Sequence, residues 1–185
     1  MRIAMVILAL SVASIAFAGG NPDVTCYIDF DPPNQVHYIE PAAYTSVDAY
    51  VCFTGIDMGL TSASFRLTDV TTACPGVSAP PSFTNDLDLA IGNYLTGITV
   101  TSTTCLPGPD VCVGHLSLFY LGGSCCIEIL DHPDYPRWIT DCNSPAQVDF
   151  YGIMAGGGGA IATSNPCPVV PVEESTWGSV KALYR

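Results

Sequence analysis

Polar and apolar residues alternate with a period of two along most of the chain. Val47, Ala49, Val51 and Phe53 fall on one face of an extended segment whose other face carries Ser46, Asp48 and Tyr50. Over 62–68, Ala63, Phe65 and Leu67 alternate with Ser64, Arg66 and Thr68. Successive side chains leave a pleated backbone on opposite sides, so this period marks strands with one buried face. The same pattern, enriched in Thr, Val, Ile and aromatics, predicts strands at 24–30, 94–102, 111–121, 125–131, 137–142 and 147–153. Turn-forming clusters separate them: Asp31-Pro32-Pro33-Asn34, Pro75 to Pro81, Pro107-Gly108-Pro109-Asp110 and Gly156 to Gly159. Short strands punctuated in this way predict an all-β fold, an antiparallel Ig-like β-sandwich stapled by disulfides.

Helical periodicity enters only at the end. Trp177, Val180, Leu183 and Tyr184 recur at helical spacing and form one apolar stripe. Ser175 or Thr176 can cap such a helix, Glu173 and Glu174 sit at its positive end, and Lys181 and Arg185 at its negative end. A helix this short is marginal alone, so it docks on its own domain or is read by a partner. At the other end, Arg2, the apolar run Ile3 to Ile15 and Ala16-Phe17-Ala18 make a signal peptide with an A-x-A cleavage site. The expected organisation is a signal peptide over 1–18, a sandwich domain over 19–165, a proline-rich spacer over 166–172 and an amphipathic helix over 173–185. No transmembrane segment is expected after cleavage. The run at 150–172 is broken by four glycines and several prolines, and 89–109 is threonine-rich and alternating.

Charge narrows the partners. Five basic residues stand against seventeen acidic ones, a net charge of −12, which excludes a phosphate-tracking patch and hence nucleic acid. The chain is 49% apolar and only 12% charged, so it has ample surface to bury and is no disordered tail. Its nine cysteines, all beyond the leader, read as disulfides of an oxidising compartment, secreted or at the cell surface. An odd count leaves one thiol over. No N-x-S/T sequon occurs, which favours a bacterial source.

Two bridges are expected. One closes a hairpin over 125–142, turning about Asp134, with Cys126 facing Cys142, Leu130 facing Trp138, Ile129 facing Ile139 and Asp131 facing Arg137. Cys125 lies one residue from the same reach. The other joins Cys105 and Cys112 across the Pro107-Gly108-Pro109 turn, with Cys74 as a competing partner.

Two resemblances add to this reading. The closing run Thr176-Trp177-Gly178-Ser179-Val180-Lys181-Ala182-Leu183-Tyr184 resembles the ending of an uncharacterised group of exported bacterial proteins with a T-W-G-x-[IV]-K-x-[LM]-Y pattern. Tyr50-Val51-Cys52-Phe53, the Cys125-Cys126 pair and Asp141-Cys142-Asn143 resemble that group too. The group brings no activity with it. The segment Gly59 to Leu67 is similar to an early strand of cohesin-like domains, which are Ig-like sandwiches that bind partner modules; that likeness concerns the fold.

Catalytic signatures are lacking. No G-x-S-x-G elbow, H-E-x-x-H, phosphate loop or dinucleotide fingerprint occurs, and Gly122-Gly123-Ser124-Cys125 lacks the final glycine of an elbow. His115 lies in an apolar strand and reads as a core or edge histidine, while His132 sits in a turn-like Asp131-His132-Pro133-Asp134. Asp29 with Asp31, and Asp86 with Asp88, each place two carboxylates on one face of an extended segment. They are the candidates for calcium, against the plainer reading of solvated strand edges. Tyr27, Tyr38, Tyr44, Tyr50 and Trp138 are available for a carbohydrate face, or for packing. The leading reading is therefore an exported non-catalytic structural, adhesive or protein-interaction domain. A carbohydrate or small-ligand module is the alternative, and a hydrolase the third. An exposed row of coplanar aromatics would favour the second reading, and a flat polar sheet the first.

Overall fold

A computed structural model describes residues 20–32, 34–74, 76–154 and 161–163. In chain order these form β1 (Thr25–Asp29), β2 (Tyr38–Ile39), β3 (Thr45–Thr54), β4 (Leu60–Leu67), a one-turn helix α1 (Val70–Ala73), β5 (Val77–Asn85), β6 (Leu89–Asn93), β7 (Gly97–Leu106), β8 (Asp110–Tyr120), β9 (Cys125–Ile127), β10 (Ile129–Leu130), β11 (Trp138–Thr140), β12 (Val148–Phe150), β13 (Gly152–Ile153) and β14 (Ile161–Thr163). The expected leader over 1–18, spacer over 166–172 and helix over 173–185, with Trp177, Val180, Leu183 and Tyr184, lie outside the described residues.

The protein is mostly β. One sheet has the order β13-β1-β3-β8-β5, a second β12-β11-β4-β7-β6 with β10 also on β4, and a small third sheet is β2-β14-β9. In the first sheet only β1 and β13 run parallel. The alternation read in the sequence sets which faces meet. Val47, Ala49, Val51 and Phe53 of β3, and Ala63, Phe65 and Leu67 of β4, join one core shared by the two larger sheets. In β8 the inward set changes phase, from Val111 and Val113 to Leu116, Leu118 and Tyr120. The ladder shows why: Val51 pairs with Gly114 and Cys52 with Cys112, so Val113 is an extra residue, and a bulge shifts the parity of all that follows.

Two strands lie outside the expected set, one of them across a stretch read as a turn. β5 runs through the Pro80-Pro81 pair, which the sequence marks as punctuation. It is an edge strand whose register breaks between Ser78 and Ser82, the one kind of strand position that tolerates residues without a donor N–H. β6 is an edge of the second sheet, exposed along its whole length.

The 125–142 hairpin does not form. β10 and β11 both pair with β4, Ile129 opposite Leu67 and Ile139 opposite Ala63, so they lie end to end along one strand instead of facing each other. Pairing with β4 places Ile129 and Ile139 beside fully buried core positions, which a two-stranded hairpin has no means to supply. The Asp131–Arg137 pair is present, at 2.7 Å, and closes the loop between them. Within that loop His132 Nδ1 accepts from the backbone N–H of Asp134 and of Tyr135, both at 3.1 Å, which places the ring proton on Nε2. We expect His132→Ala to lower stability by about 1–3 kcal/mol, since it strips two N–H groups of their acceptor. A urea titration checks this, and an unchanged midpoint would mean that the ion pair alone holds the loop.

Both expected disulfides are corrected. Between described residues the bridges are Cys52–Cys112, Cys74–Cys125 and Cys105–Cys142. Cys105 ends β7 in the second sheet and Cys112 lies on β8 in the first, so the turn between them crosses layers and carries the two thiols apart. Cys142 follows β11, on the same sheet as β7, and takes Cys105 in place of Cys126, which is itself disulfide-bonded. Gly59 makes the bridge possible: at φ +71° it holds a conformation suited to glycine, and a Cβ there would collide with both sulfurs. The free thiol among the described residues is Cys26, in the core, where burial pushes its pKa well up and leaves it unreactive.

Candidate functional site

The outward face of the first sheet carries the residues that alternate with its core set. Across it run Thr84, His115, Tyr50 and Asp29 in one row, and Ser82, Ser117 and Asp48 in the next. Ser117 donates to Asp48 at 2.7 Å, and His115 Nδ1 lies 3.1 Å from Asp86 Oδ2, with the His115 ring 5.1 Å from that of Tyr50. His115, read from its apolar run as a core or edge histidine, is thus on the outer face of β8 and not in the core. The bulge at Val113 turns it outward.

Beside this face the segment between β1 and β3 rims an open groove of about 760 Å³, lined chiefly by Phe30, Tyr38, Glu40, Ser46, Asp48 and Tyr50. The carboxylate pair at the end of β1 builds the rim. Asp29 Oδ1 accepts from the N–H of Asp31 at 3.0 Å and of Val36 at 2.9 Å, and Asp31 Oδ2 accepts from the Asn34 amide at 3.0 Å. His37 donates from Nδ1 to the Ile28 carbonyl at 3.1 Å, and its ring meets Tyr27 edge-on. Two non-glycine residues of this segment, Gln35 at φ 55° and Tyr44 at φ 65°, sit in the left-handed region. Such conformations cost about 1 kcal/mol or more each and gather where a surface has a task beyond folding. Tyr44 is 73% exposed and Tyr38 54%, and Phe119 stands exposed opposite Ser46. The local field is negative: burial, then the Asp110 and Asp29 charges, push the Tyr27 phenol up to about 12.

Asp86 and Asp88 lie elsewhere, on the connection from β5 to β6. Asp88 Oδ2 accepts from the Thr103 N–H and hydroxyl and from Ser102, and these bonds, the Thr103 N–H foremost, hold its carboxyl below the usual range. The four calcium candidates therefore fall at two separate places, with Asp29, Asp31 and Asp88 accepting hydrogen bonds from their own loops or from a neighbouring strand. Among the described residues no group of three or more His, Cys, Asp or Glu side chains is placed to hold a metal ion.

The hydrolase constellation is incomplete in the same terms. Asp86 orients His115, and Ser117 is two residues away on the same face, but its hydroxyl donates to Asp48 and not to the imidazole. His132 is committed to its turn. A second aromatic group, His132, Tyr135, Trp138 and Phe150, lies along the β11–β12 edge with centroids 5.2, 5.2 and 6.3 Å apart. Its planes are inclined by 33°, 46° and 86°, so it offers no flat platform for a sugar ring.

The sequence offered Tyr27, Tyr38, Tyr44, Tyr50 and Trp138 for a carbohydrate face or for packing, and Ser46, Asp48 and Tyr50 as one strand face; Tyr38 and Tyr50 line the groove and Tyr44 is exposed, whereas Tyr27 is buried and Trp138 lies in the β11–β12 group. Glu40 and Ser117 were not distinguished from other polar residues, since only the approach of distant segments brings them here. No protein-family model matches the chain, and no curated protein does.

Proposed function

We propose that the chain is an exported, non-catalytic interaction module with an Ig-like sandwich fold, which binds a basic segment of another protein outside the cell. The observation that carries this is the groove at the first sheet, where Tyr38 and Tyr50 flank Glu40 and Asp48 on a strongly acidic chain. Tyrosines offer rigid contact area with a polar tip, and serines and carboxylates beside them supply adaptable hydrogen bonding. The negative surface steers and selects lysine- or arginine-rich partners. Three disulfides between described residues support the oxidising location, and the ending that resembles exported bacterial proteins agrees with it. Among the described residues no helix is long and apolar enough to cross a membrane.

The same tyrosines favour a second reading, a carbohydrate site. Binding of the purified protein to arrays of basic peptides and of glycans separates the two. We expect peptide binding that falls at least about tenfold between 50 and 300 mM salt, as screened charge pairs do. Charge reversal by Glu40→Lys with Asp48→Lys should abolish it while lowering the melting temperature by no more than a few degrees, because both residues are exposed and only the exposed Ser117–Asp48 hydrogen bond is lost. Salt-insensitive glycan binding that survives both substitutions and is lost in Tyr38→Ala would establish the carbohydrate reading instead.

A further inference from the structure

We propose that the edge of the second sheet at β6 docks an extended, uncharged apolar segment of another protein, which adds to the sheet beyond β6 and seats one side chain between the two larger sheets. Every edge strand presents a row of N–H and C=O groups, and soluble proteins blunt such edges with proline, charge, a bulge or shortness. The other described edges follow that rule. β5 carries Pro80 and Pro81 and a register break, β9 and β12 are three residues long, and β2 and β13 only two. β6 departs from it. Leu89, Ala90 and Ile91 bear neither charge nor proline, the whole strand is exposed, and among the described residues no strand pairs with its outer side. The two acids that precede it are drawn off the edge: Asp88 is held by Ser102 and Thr103 of β7, and Asp86 reaches His115 of the first sheet.

The two faces of β6 specify the occupant. Ala90 and Gly92 pair with the core residues Val100 and Ile98 and share their inward face. Leu89 and Ile91 pair with Thr101 and Thr99 on the outward face, 52% and 62% exposed. Under the inward side a crevice of about 270 Å³ opens between β6 and β5, lined chiefly by Pro81, Ser82, Phe83, Asn85, Tyr94 and Ile98. Its larger polar groups are already satisfied: the Tyr94 hydroxyl donates to the Pro81 carbonyl at 3.2 Å, and the Asn85 amide bonds both backbone groups of Leu87. A strand laid along β6 alternates as β6 does, so its residue opposite Ala90 points toward the crevice and its neighbours cover Leu89 and Ile91. Main-chain bonds then hold the segment, and the crevice selects its side chain. A charge in the segment would lose hydration against Leu89 and Ile91 and find no partner on β6, which makes the occupant uncharged. Gly92, at φ +96°, leaves extended geometry, so the matching stretch is Leu89 to Ile91. A second copy fits badly: its own β6 brings only Ala90 or Gly92 to the crevice, and a net charge of −12 on each chain opposes their approach.

This site is separate from the groove beside β3 and stands whether or not that groove takes basic peptides. The probe is the uncharged peptide acetyl-Thr-Val-Phe-Val-Thr-amide, added to the purified protein at up to about 1 mM. Amide hydrogen exchange, resolved by residue, reads the outcome. The outward N–H groups within Leu89 to Ile91 should exchange at least about tenfold more slowly with the probe bound. Of two probes N-methylated at alternate amides, the one whose methyl groups face β6 should give no protection and the other should still bind, because only one set of amides meets the edge. Replacing the probe's Phe by Gly should weaken binding at least about tenfold, since the crevice is left empty. Ile91→Lys, at an exposed side chain, should weaken it by a similar factor; the probe variants decide the matter should that protein fail to fold. No protection at β6, equal binding of both methylated probes, or protection confined to the groove around Tyr50 would overturn the proposal. Slow exchange of the same amides in the protein alone would overturn it too. At every concentration that result assigns the edge to a segment of the same chain, and with a concentration-dependent doubling of mass it assigns the edge to a second copy.

Discussion

Replacing Cys52 and Cys112 together by alanine should lower the unfolding free energy by about 4 kcal/mol. The bridge spans 60 residues, and closing a loop of that length removes conformational freedom from the unfolded chain worth about this much. It joins register-paired positions on β3 and β8, the central strands of the first sheet, so the folded ladder does not need the covalent link to find its register. The effect thus falls on the unfolded state. Urea titrations with unchanged slope and a lower midpoint would show it, and the melting temperature should fall by about 10 °C. A loss below about 1 kcal/mol would mean that the overlapping loops of the other bridges already restrict the unfolded chain as much. Cys26 offers an internal control. Its thiol is buried, and Cys26→Ala removes no bridge.

The second large effect is expected from Phe53→Ala, at about 3–5 kcal/mol. Phe53 is fully buried on β3 and packs edge-on against Tyr151 at 5.2 Å. Tyr151 in turn donates its hydroxyl to the Ser64 carbonyl of β4 at 2.9 Å, so this pair of rings ties one sheet to the other. Burial pushes the Tyr151 phenol far above its ordinary value, and it stays a neutral donor. Removing the Phe53 ring opens a cavity beneath Tyr151, whereas Tyr151→Phe keeps the rings and loses one hydrogen bond, at about 1 kcal/mol. Equilibrium unfolding of both variants checks the order. Equal costs would show that the core closes around the missing ring.

Much of this architecture is legible in residue order. The inward sets of β3 and β4 follow from alternation alone, because the pleat sends neighbouring side chains to opposite faces whatever lies beyond them. Even the bulge leaves a trace, valines at 111 and 113 and then leucines at 116 and 118, one step out of phase. The Asp131–Arg137 pair closes a loop of a few residues and is equally local. The candidate groove is legible by halves: its strand side is the polar face of β3, while its rim owes its place to Asp29 gathering the N–H groups of Asp31 and Val36.

What the tertiary structure decided is the choice among distant partners. Ile129 and Ile139 have the residue types of a hairpin, yet β4 wins them both because pairing there also buries them in the shared core. Cys105 is near Cys112 in sequence but bonds elsewhere, because the intervening turn passes from one sheet to the other. Pro80 and Pro81 read as a break until an edge position among the described strands, at a break in the ladder between Ser78 and Ser82, makes their missing N–H groups harmless. Asp141 and Asp149 carry no mark in the sequence that Gly20 and Asn21, more than a hundred residues earlier, end against them. Alternation is set by bonds between adjacent residues and so is written in their order. Pairing is set by competition for burial among segments remote along the chain, and that competition is resolved only when they meet.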